Sequence, residues 1–147
     1  MKKLAFLLLC VFVSVQTTFA DREKPISFEQ LPQAAQAFVK QNFANAKVAF
    51  TKQETDFLQK SYDVVFINGD KIEFNGDGQW REIRCRNSNV PEAAIPTGIK
   101  KFVNENYPGV NVIQIEKDRY EYEVKLSNFW EIKFDLNCNV IGMDSDD

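Results

Sequence analysis

The sequence predicts an α+β fold made of two tandem repeats, each with one helix followed by a four-stranded antiparallel sheet, and helices covering one face of the sheet. Two observations predict it: a helical segment occurs twice, and alternating strand segments follow each copy. Repeat 1 is expected over residues 26–86 and repeat 2 over residues 90–143. A third observation, an apolar run at the start of the chain, indicates export.

Residues 1–20 are interpreted as a signal peptide. Lys2 and Lys3 precede an apolar run from Leu4 to Val15, and small residues precede a cut after Ala20. The run is shorter than the roughly 20 residues that span a bilayer. The alternative is a lipoprotein signal with Cys10 as the acylated residue, although Cys10 lies inside the apolar run rather than at its end. We expect a periplasmic or secreted protein without stable membrane insertion after cleavage.

The mature chain, residues 21–147, is long enough for a single domain with its own core. Loss of Lys2 and Lys3 reduces 18 basic residues to 16 against 21 acidic ones, a net charge of about −5. No cluster of lysine or arginine remains. We therefore expect neither nucleic acid nor an anionic membrane surface as a partner, because both require clustered positive charge.

The repeated helix runs from Leu31 to Phe43 in the first copy and from Ile95 to Tyr107 in the second. Pro32 and Pro96 lie in the first turn of the two predicted helices, where proline is tolerated. Apolar residues recur at helical spacing in both copies, with polar residues on the opposite face. Each helix is therefore expected to lie on an apolar surface.

Four strand segments follow each helix. They are predicted at 47–54, 61–67, 70–75 and 79–85 in the first half, and at 110–117, 119–126, 129–135 and 140–143 in the second. Short turns between them imply antiparallel neighbours. Tyr122 and Val124 alternate with charged residues, a pattern typical of a sheet that is packed on one side and wet on the other. Because each half has only about 60 residues, we expect the halves to share one continuous sheet or one core.

The pattern Pro-x5-Phe-Val-x2-Asn-[Phe/Tyr], followed by Tyr-[Asp/Glu]-Val and Ile-[Glu/Lys]-Phe-[Asn/Asp], occurs twice. It resembles the PepSY-like, β-lactamase-inhibitor-protein-like (BLIP-like) family of secreted bacterial proteins. The resemblance implies two helix-plus-four-strand repeats, a broad sheet surface and no catalytic residues. The second copy departs from the pattern with Leu136 and Cys138 where the first has Gly76 and Gly78.

The chemistry available to the chain is narrow. It contains no histidine, no Cys-x-x-Cys pair and no glycine-rich phosphate loop. Asp135-x-Asn137-x-Asn139 resembles the opening of a calcium loop, but Val140 stands where that loop needs glycine, so a polar hairpin turn is favoured. We therefore predict no catalytic residues, no metal site and no cofactor.

Cys85 and Cys138 are the two cysteines of the mature chain. In an oxidising compartment they could form one disulfide, or they could remain two separate thiols. The sequence leaves both alternatives open.

Candidate binding residues are the ones expected on the open face of the sheet. Trp80 is expected to point there with Glu82 and Arg84, because Ile83 and Cys85 would face the helix. Tryptophan beside arginine is a composition typical of binding hot spots. The alternative is that Trp80 packs against the other repeat or caps the end of a hairpin. The remaining candidates are charged residues of the second half, which could equally be cross-strand charge pairs: Glu121, Glu123 and Lys133.

These observations favour a non-catalytic module that binds or inhibits an unknown protein or peptide of the cell envelope through the open sheet face. The second hypothesis is a binder of a small molecule or cell-envelope glycan, with aromatic residues in a cleft between the repeats. An enzyme and a structural role are the further alternatives. Fold by itself does not determine which is correct.

Overall fold

The computed structural model describes residues 22–145, and the predicted signal peptide lies outside the described residues. The helices are α1 (Gln33–Asn42) and α2 (Thr97–Asn106), with short 3-10 helices at Phe28–Gln30 and Glu92–Ala94. The strands are β1 (Lys24–Ile26), β2 (Val48–Asp56), β3 (Gln59–Phe66), β4 (Lys71–Asn75), β5 (Trp80–Arg84), β6 (Val112–Lys117), β7 (Glu121–Leu126), β8 (Trp130–Asp135) and β9 (Val140–Ser145).

The predicted fold class, two repeats of a helix plus a four-stranded sheet, is wrong, because the described residues form a single sheet with two helices. All nine strands form a single antiparallel sheet in the order in which they occur along the chain. The two four-stranded sets join through β5 and β6, where Ile83 pairs with Ile115 and Arg84 pairs with Gln114. This pairing satisfies backbone groups that would otherwise form two exposed sheet edges. The continuous sheet agrees with the expectation that two halves of this size share one.

Strand β1 is absent from the sequence-based prediction. It pairs with β2 through Lys24, Pro25 and Ile26, and the side chain of Thr51 donates a hydrogen bond to the carbonyl oxygen of Ile26. A three-residue strand that contains proline shows neither the length nor the alternation by which strands are recognised. As an edge strand it tolerates the proline, whose missing N–H is not needed there.

One face of the sheet is apolar and carries both helices. Phe38 of α1 meets Phe74 edge-to-face at 5.9 Å between ring centroids, and Phe102 of α2 meets Phe134 in the same way at 5.5 Å. Phe43 stacks on Phe66 at 5.1 Å. Burial of these aromatic surfaces holds the helices to the sheet, and edge-to-face pairs add about 0.5–1.5 kcal/mol each beyond the area buried. The residues buried under the helices belong to one continuous core.

The chain between β5 and the second 3-10 helix is tied to the β3–β4 turn by Asp70. This carboxylate is buried and accepts hydrogen bonds from the Ser88 hydroxyl, the Asn68 side-chain amide and the Asn87 backbone N–H. A buried carboxylate requires such partners, because leaving it unpaired costs several kcal/mol.

No helix within residues 22–145 has the length and apolar character needed to cross a membrane.

Candidate functional site

The uncovered face of the sheet carries five acidic side chains directly opposite one another on five adjacent strands. At one level of the sheet, the register of each of the four strand pairs from β3 to β7 places an acidic residue opposite another acidic residue. We call this set the carboxylate row: Asp63, Glu73, Glu82, Glu116 and Glu123. With strands about 4.8 Å apart, the row extends roughly 19 Å across the sheet. Like charges directly opposite each other destabilise a sheet, so strand pairing alone does not favour this arrangement.

Cations neutralise the row at its two ends. Asp63 is buried and lies 2.8 Å from the Lys71 ammonium and 3.3 Å from that of Lys52. At the other end Lys133 lies 3.4 Å from Glu123 and 3.6 Å from Glu121, and these carboxylates raise the pKa of Lys133. These ion pairs balance the ends of the row.

The centre of the row is less well balanced. Glu82 is paired with Arg84 and accepts a hydrogen bond of 2.8 Å from Gln114. On either side of it, the pKa values of Glu73 and Glu116 are raised, mainly by burial and then by neighbouring carboxylates. Lys71 and Arg81, the latter 3.9 Å from Glu73, lower the pKa of Glu73 but do not cancel this rise. The middle of the open face therefore carries negative charge that the fold only partly compensates.

Five of the six predicted binding residues lie on the open face. Two of them, Glu82 and Glu123, belong to the carboxylate row, and Arg84 and Lys133 form ion pairs with it. Glu121 lies two residues before Glu123 on β7, opposite Asp135 in the register. Whether they bind a partner stays a prediction.

The expected orientation of Trp80 is wrong. Glu73 pairs with Glu82, but the next residue, Phe74, pairs with Trp80, which leaves Arg81 as the extra residue of a β-bulge. Because Phe74 is fully buried beneath α1, its partner Trp80 lies on the helix-covered face as well, partly buried against the core. Nothing in the local sequence marks the bulge, and one extra residue reverses the direction of every side chain before it.

Within the described part of the chain, Cys85 and Cys138 are free thiols. Cys85 is fully buried, and burial raises its pKa to about 11, so the reactive thiolate is scarce at neutral pH. Cys138 lies in the β8–β9 turn against Gly98 of α2. Of the two alternatives that the sequence left open, the structure has separate thiols.

A cleft of about 1070 Å³ opens on the helix-covered face, between α1 on one side and residues 93–97 on the other. Trp80 and Tyr122 line it from the sheet, Phe38 from α1, and Tyr120 from the β6–β7 turn. Trp80 therefore lines this aromatic cleft and does not lie on the open face.

Charged and amide groups surround the aromatic residues of this cleft. Arg81, Lys117 and Arg119 contribute positive charge, and the Lys117 ammonium lies 5.5 Å from the centroid of the Tyr122 ring. Among the described residues of the lining, Asp118 is the single carboxylate, and it accepts hydrogen bonds from the backbone N–H groups of Tyr120 and Glu121, which lower its pKa. The cleft is therefore positive in a chain that is negative as a whole.

Sequence reasoning did not identify most of these residues. Alternation along β4 and β6 would have put Glu73 and Glu116 on the open face, but their juxtaposition depends on the pairing of β5 with β6. The cleft depends on how the two helices sit on the sheet. Among the described residues, no group of three or more carboxylate or cysteine side chains is arranged to hold a metal ion.

Within residues 22–145, a nine-stranded meander carries two helices on one face and charged residues on the opposite face, which defines a one-layer sheet domain with an open surface. The chain belongs to the family described as "putative beta-lactamase-inhibitor-like, PepSY-like", whose model matches residues 17–57 and 60–142. This confirms the resemblance seen in the sequence. No curated protein matches the chain.

Solved structures from Bacteroides resemble it along most of its length. A "putative periplasmic protein" of Bacteroides vulgatus is 55% identical, with a TM-score of 0.83, and the match covers 86% of this chain and 99% of that one. A "putative calcium-regulated periplasmic protein" of Bacteroides thetaiotaomicron is 52% identical, with a TM-score of 0.82 and coverage of 84% and 97%. A second Bacteroides vulgatus protein, of unknown function, is 36% identical, with a TM-score of 0.79 and coverage of 84% and 100%.

Proposed function

We propose that this protein is a non-catalytic periplasmic domain that binds another protein of the cell envelope through the open face of its sheet. The observation that carries the proposal is the carboxylate row at the centre of that face. The predicted signal peptide, the family's inhibitor-like character and the periplasmic description of two similar structures support the compartment and the class.

The row favours a partner because its charges are costly in the free protein. Glu73 and Glu116 lie next to other carboxylates and have raised pKa values, so their ionised forms are disfavoured. A cation brought by a partner would lie among several carboxylates and offset that repulsion. Complementary charge of this kind increases the association rate and selects the partner.

The expected partner surface is basic and rich in arginine. The guanidinium group binds a carboxylate through two parallel hydrogen bonds and loses less hydration than the lysine ammonium. The row runs across the strands, and its two ends are already neutralised by ion pairs with Lys52 and Lys71 at one end and with Lys133 at the other. A basic segment seated on it would therefore centre on Glu73, Glu82 and Glu116.

The test compares three forms of the mature chain, each immobilised and exposed to the same envelope extract. They are the wild type, the row variant Glu73→Gln/Glu116→Gln, and the control Glu105→Gln, which removes an exposed carboxylate from α2. Proteins captured by the wild type are identified, purified and titrated against all three forms at two salt concentrations. We expect affinity for the true partner to fall about tenfold or more on the row variant, and to fall with salt on the wild type.

Equal affinity of the purified partner for the row variant and for the wild type would overturn the proposal, because the partner would then contact another surface. Parallel titrations with calcium and with a chelator are included because one similar structure is described as calcium-regulated. Binding that requires calcium but ignores the row substitutions would likewise count against direct recognition by these carboxylates.

A further inference from the structure

We infer that the cleft between α1 and residues 93–97 is a second binding site, and that its ligand is an acidic oligosaccharide. The inference does not rest on the proposed function. Arg81 is common to the two sites, since it lines the cleft and lies 3.9 Å from Glu73, but the other cleft residues used in the argument are not members of the carboxylate row. It rests on three properties of the cleft: its aromatic surfaces, the sign of its charge and its size.

The aromatic residues of the cleft remain in part accessible. Trp80 and Tyr122 are only partly buried, and Tyr120 is 73% exposed. The C–H face of a pyranose ring is apolar and packs flat against an indole or phenol ring, whereas its hydroxyl groups project at the edge. Gln59 and Gln79 line the same cleft and can donate to and accept from such hydroxyl groups. Flat apolar surfaces beside amide groups match this amphipathic ligand.

The charge of the cleft selects an anionic sugar over a neutral one. Three cations, Arg81, Lys117 and Arg119, line the cleft together with Asp118, whose Oδ1 atom already accepts hydrogen bonds from two backbone N–H groups. Arg81 lies 3.9 Å from Glu73, at the limit of an ion pair. Carboxylate groups on the ligand would form charge-assisted hydrogen bonds with Lys117 and Arg119.

The volume of about 1070 Å³ lies just above the usual range for small-molecule sites, roughly 300–1,000 Å³, and exceeds what one sugar ring needs. An oligosaccharide of a few uronic acid units fits these dimensions. A single-stranded nucleic acid also combines rings with negative charge, but phosphate recognition requires a longer run of cations than this chain offers.

The two tryptophans allow a direct test. Trp80 lines the cleft, whereas Trp130 packs beneath α2 against Tyr107. In the Trp130→Phe variant the remaining tryptophan fluorescence comes from Trp80. We expect tetragalacturonate to change that fluorescence with a saturable dependence on concentration, and maltotetraose, its neutral counterpart, to bind about tenfold or more weakly.

Substitutions then locate the site. Lys117→Gln/Arg119→Gln, made in the Trp130→Phe background, should weaken tetragalacturonate binding about tenfold or more, and Lys101→Gln on the exposed face of α2 should leave it unchanged. The Trp80→Phe variant, which keeps Trp130, should show no saturable change in fluorescence.

Four outcomes would overturn the inference. The first is that neither tetragalacturonate nor maltotetraose changes the fluorescence, and the second is that the two sugars bind with equal affinity. The third is that the Lys117→Gln/Arg119→Gln substitution leaves the affinity for tetragalacturonate unchanged. The fourth is that tetraglutamate or a thymidine tetranucleotide binds more tightly than tetragalacturonate. The last result would identify a peptide or nucleic-acid site instead. Unfolding by urea is followed for every variant, so that loss of the fold is distinguished from loss of the ligand.

Discussion

Residues 78 and 138 lie in corresponding turns of the sheet, and each packs against a helix. A Cβ atom on Gly78 would lie 3.3 Å from that of Ala34 and 2.8 Å from that of Pro32. In the second turn Cys138 has a side chain, and the corresponding helix residue is Gly98, where an added Cβ would lie 2.6 Å from the Cys138 Cβ. The small residue is on the turn in one half and on the helix in the other. The departure of Cys138 from the sequence pattern is thus matched by Gly98.

This exchange of the small residue predicts the effect of adding a side chain at Gly98. Gly98→Ala would put two Cβ atoms closer than carbon atoms can approach, and such overpacking costs about 1–3 kcal/mol. Alanine's higher helix propensity offsets at most about 1 kcal/mol of that. We expect a net loss of about 1 kcal/mol in the free energy of unfolding, measured by urea denaturation.

The double variant Gly98→Ala/Cys138→Gly is the matched control. It reproduces the alanine–glycine pair of the first half and gives residue 138, which has φ 64°, the residue type that tolerates this backbone. Its stability should return to that of the wild type or exceed it. A double variant as unstable as Gly98→Ala alone would show that the two sites are not coupled.

Trp80 shows how far a single residue can be interpreted without coordinates. Its candidacy for binding came from its residue type and from strict alternation along β5. Alternation holds from Glu82 onward but fails at the bulge residue Arg81, because hydrogen bonding across β4 and β5 skips one residue there. The composition of the segment was readable, whereas the direction of the indole depended on the partner strand.

At the scale of elements, both helices and the eight longer strands occur where periodicity predicted them, with ends that differ by a few residues. The largest difference is the β2–β3 hairpin, where the predicted loop between residues 55 and 60 shortens to two residues because β2 continues to Asp56 and β3 begins at Gln59. Phe57 and Leu58 at this tip are strongly exposed. Helical and strand periodicity reflect burial on one face of each element, so the elements can be predicted without knowledge of the fold.

The carboxylate row across β3 to β7 predicts how stability depends on pH. Burial first, and then Asp63, raise the pKa of Glu73 above the ordinary value of about 4.5. The folded state therefore binds the Glu73 proton more tightly than the unfolded state does, so stability falls as pH rises through the raised pKa. Glu73→Gln should accordingly stabilise the fold by about 0.5 kcal/mol at neutral pH by removing a charge from the row.

The gain from Glu73→Gln should disappear below the unfolded pKa, where the wild-type carboxyl group is protonated in both states. Urea unfolding at about pH 7.5 and about pH 3.5, with Glu105→Gln as the control on α2, checks this expectation. A gain of the same size at both pH values, or a loss at neutral pH, would contradict the account of the row as a source of charge repulsion.

At the scale of the molecule, the pairing of β5 with β6 makes one structure of the two halves. Ile83 and Ile115 face each other across this seam, and both are fully buried within the common core. Hydrogen bonds and apolar contacts across the seam couple the halves, so neither can unfold without exposing the inner surface of the other.

The coupling predicts one unfolding transition. The Trp130→Phe variant reports on the first half through Trp80, and the Trp80→Phe variant reports on the second through Trp130. In each variant the fluorescence midpoint in urea should coincide with the midpoint of far-ultraviolet circular dichroism. Ile115→Ala, added to either variant, should lower both midpoints together and reduce stability by about 2–5 kcal/mol. A fluorescence midpoint separate from the dichroism midpoint in either variant would instead indicate halves that unfold independently.

By itself the sequence determined the helices, the longer strands, the buried side of a regular strand such as β7, and the lack of histidine-based chemistry. These depend on residue type and on spacing along the chain, which local sequence records. Only the tertiary structure decided that the strands form one sheet, that Trp80 lines a cleft, that the two thiols stay apart, and that acidic residues of five strands meet in one row. Those properties depend on which strands pair and in what register, and pairing is decided by the apolar area that the whole chain can bury together.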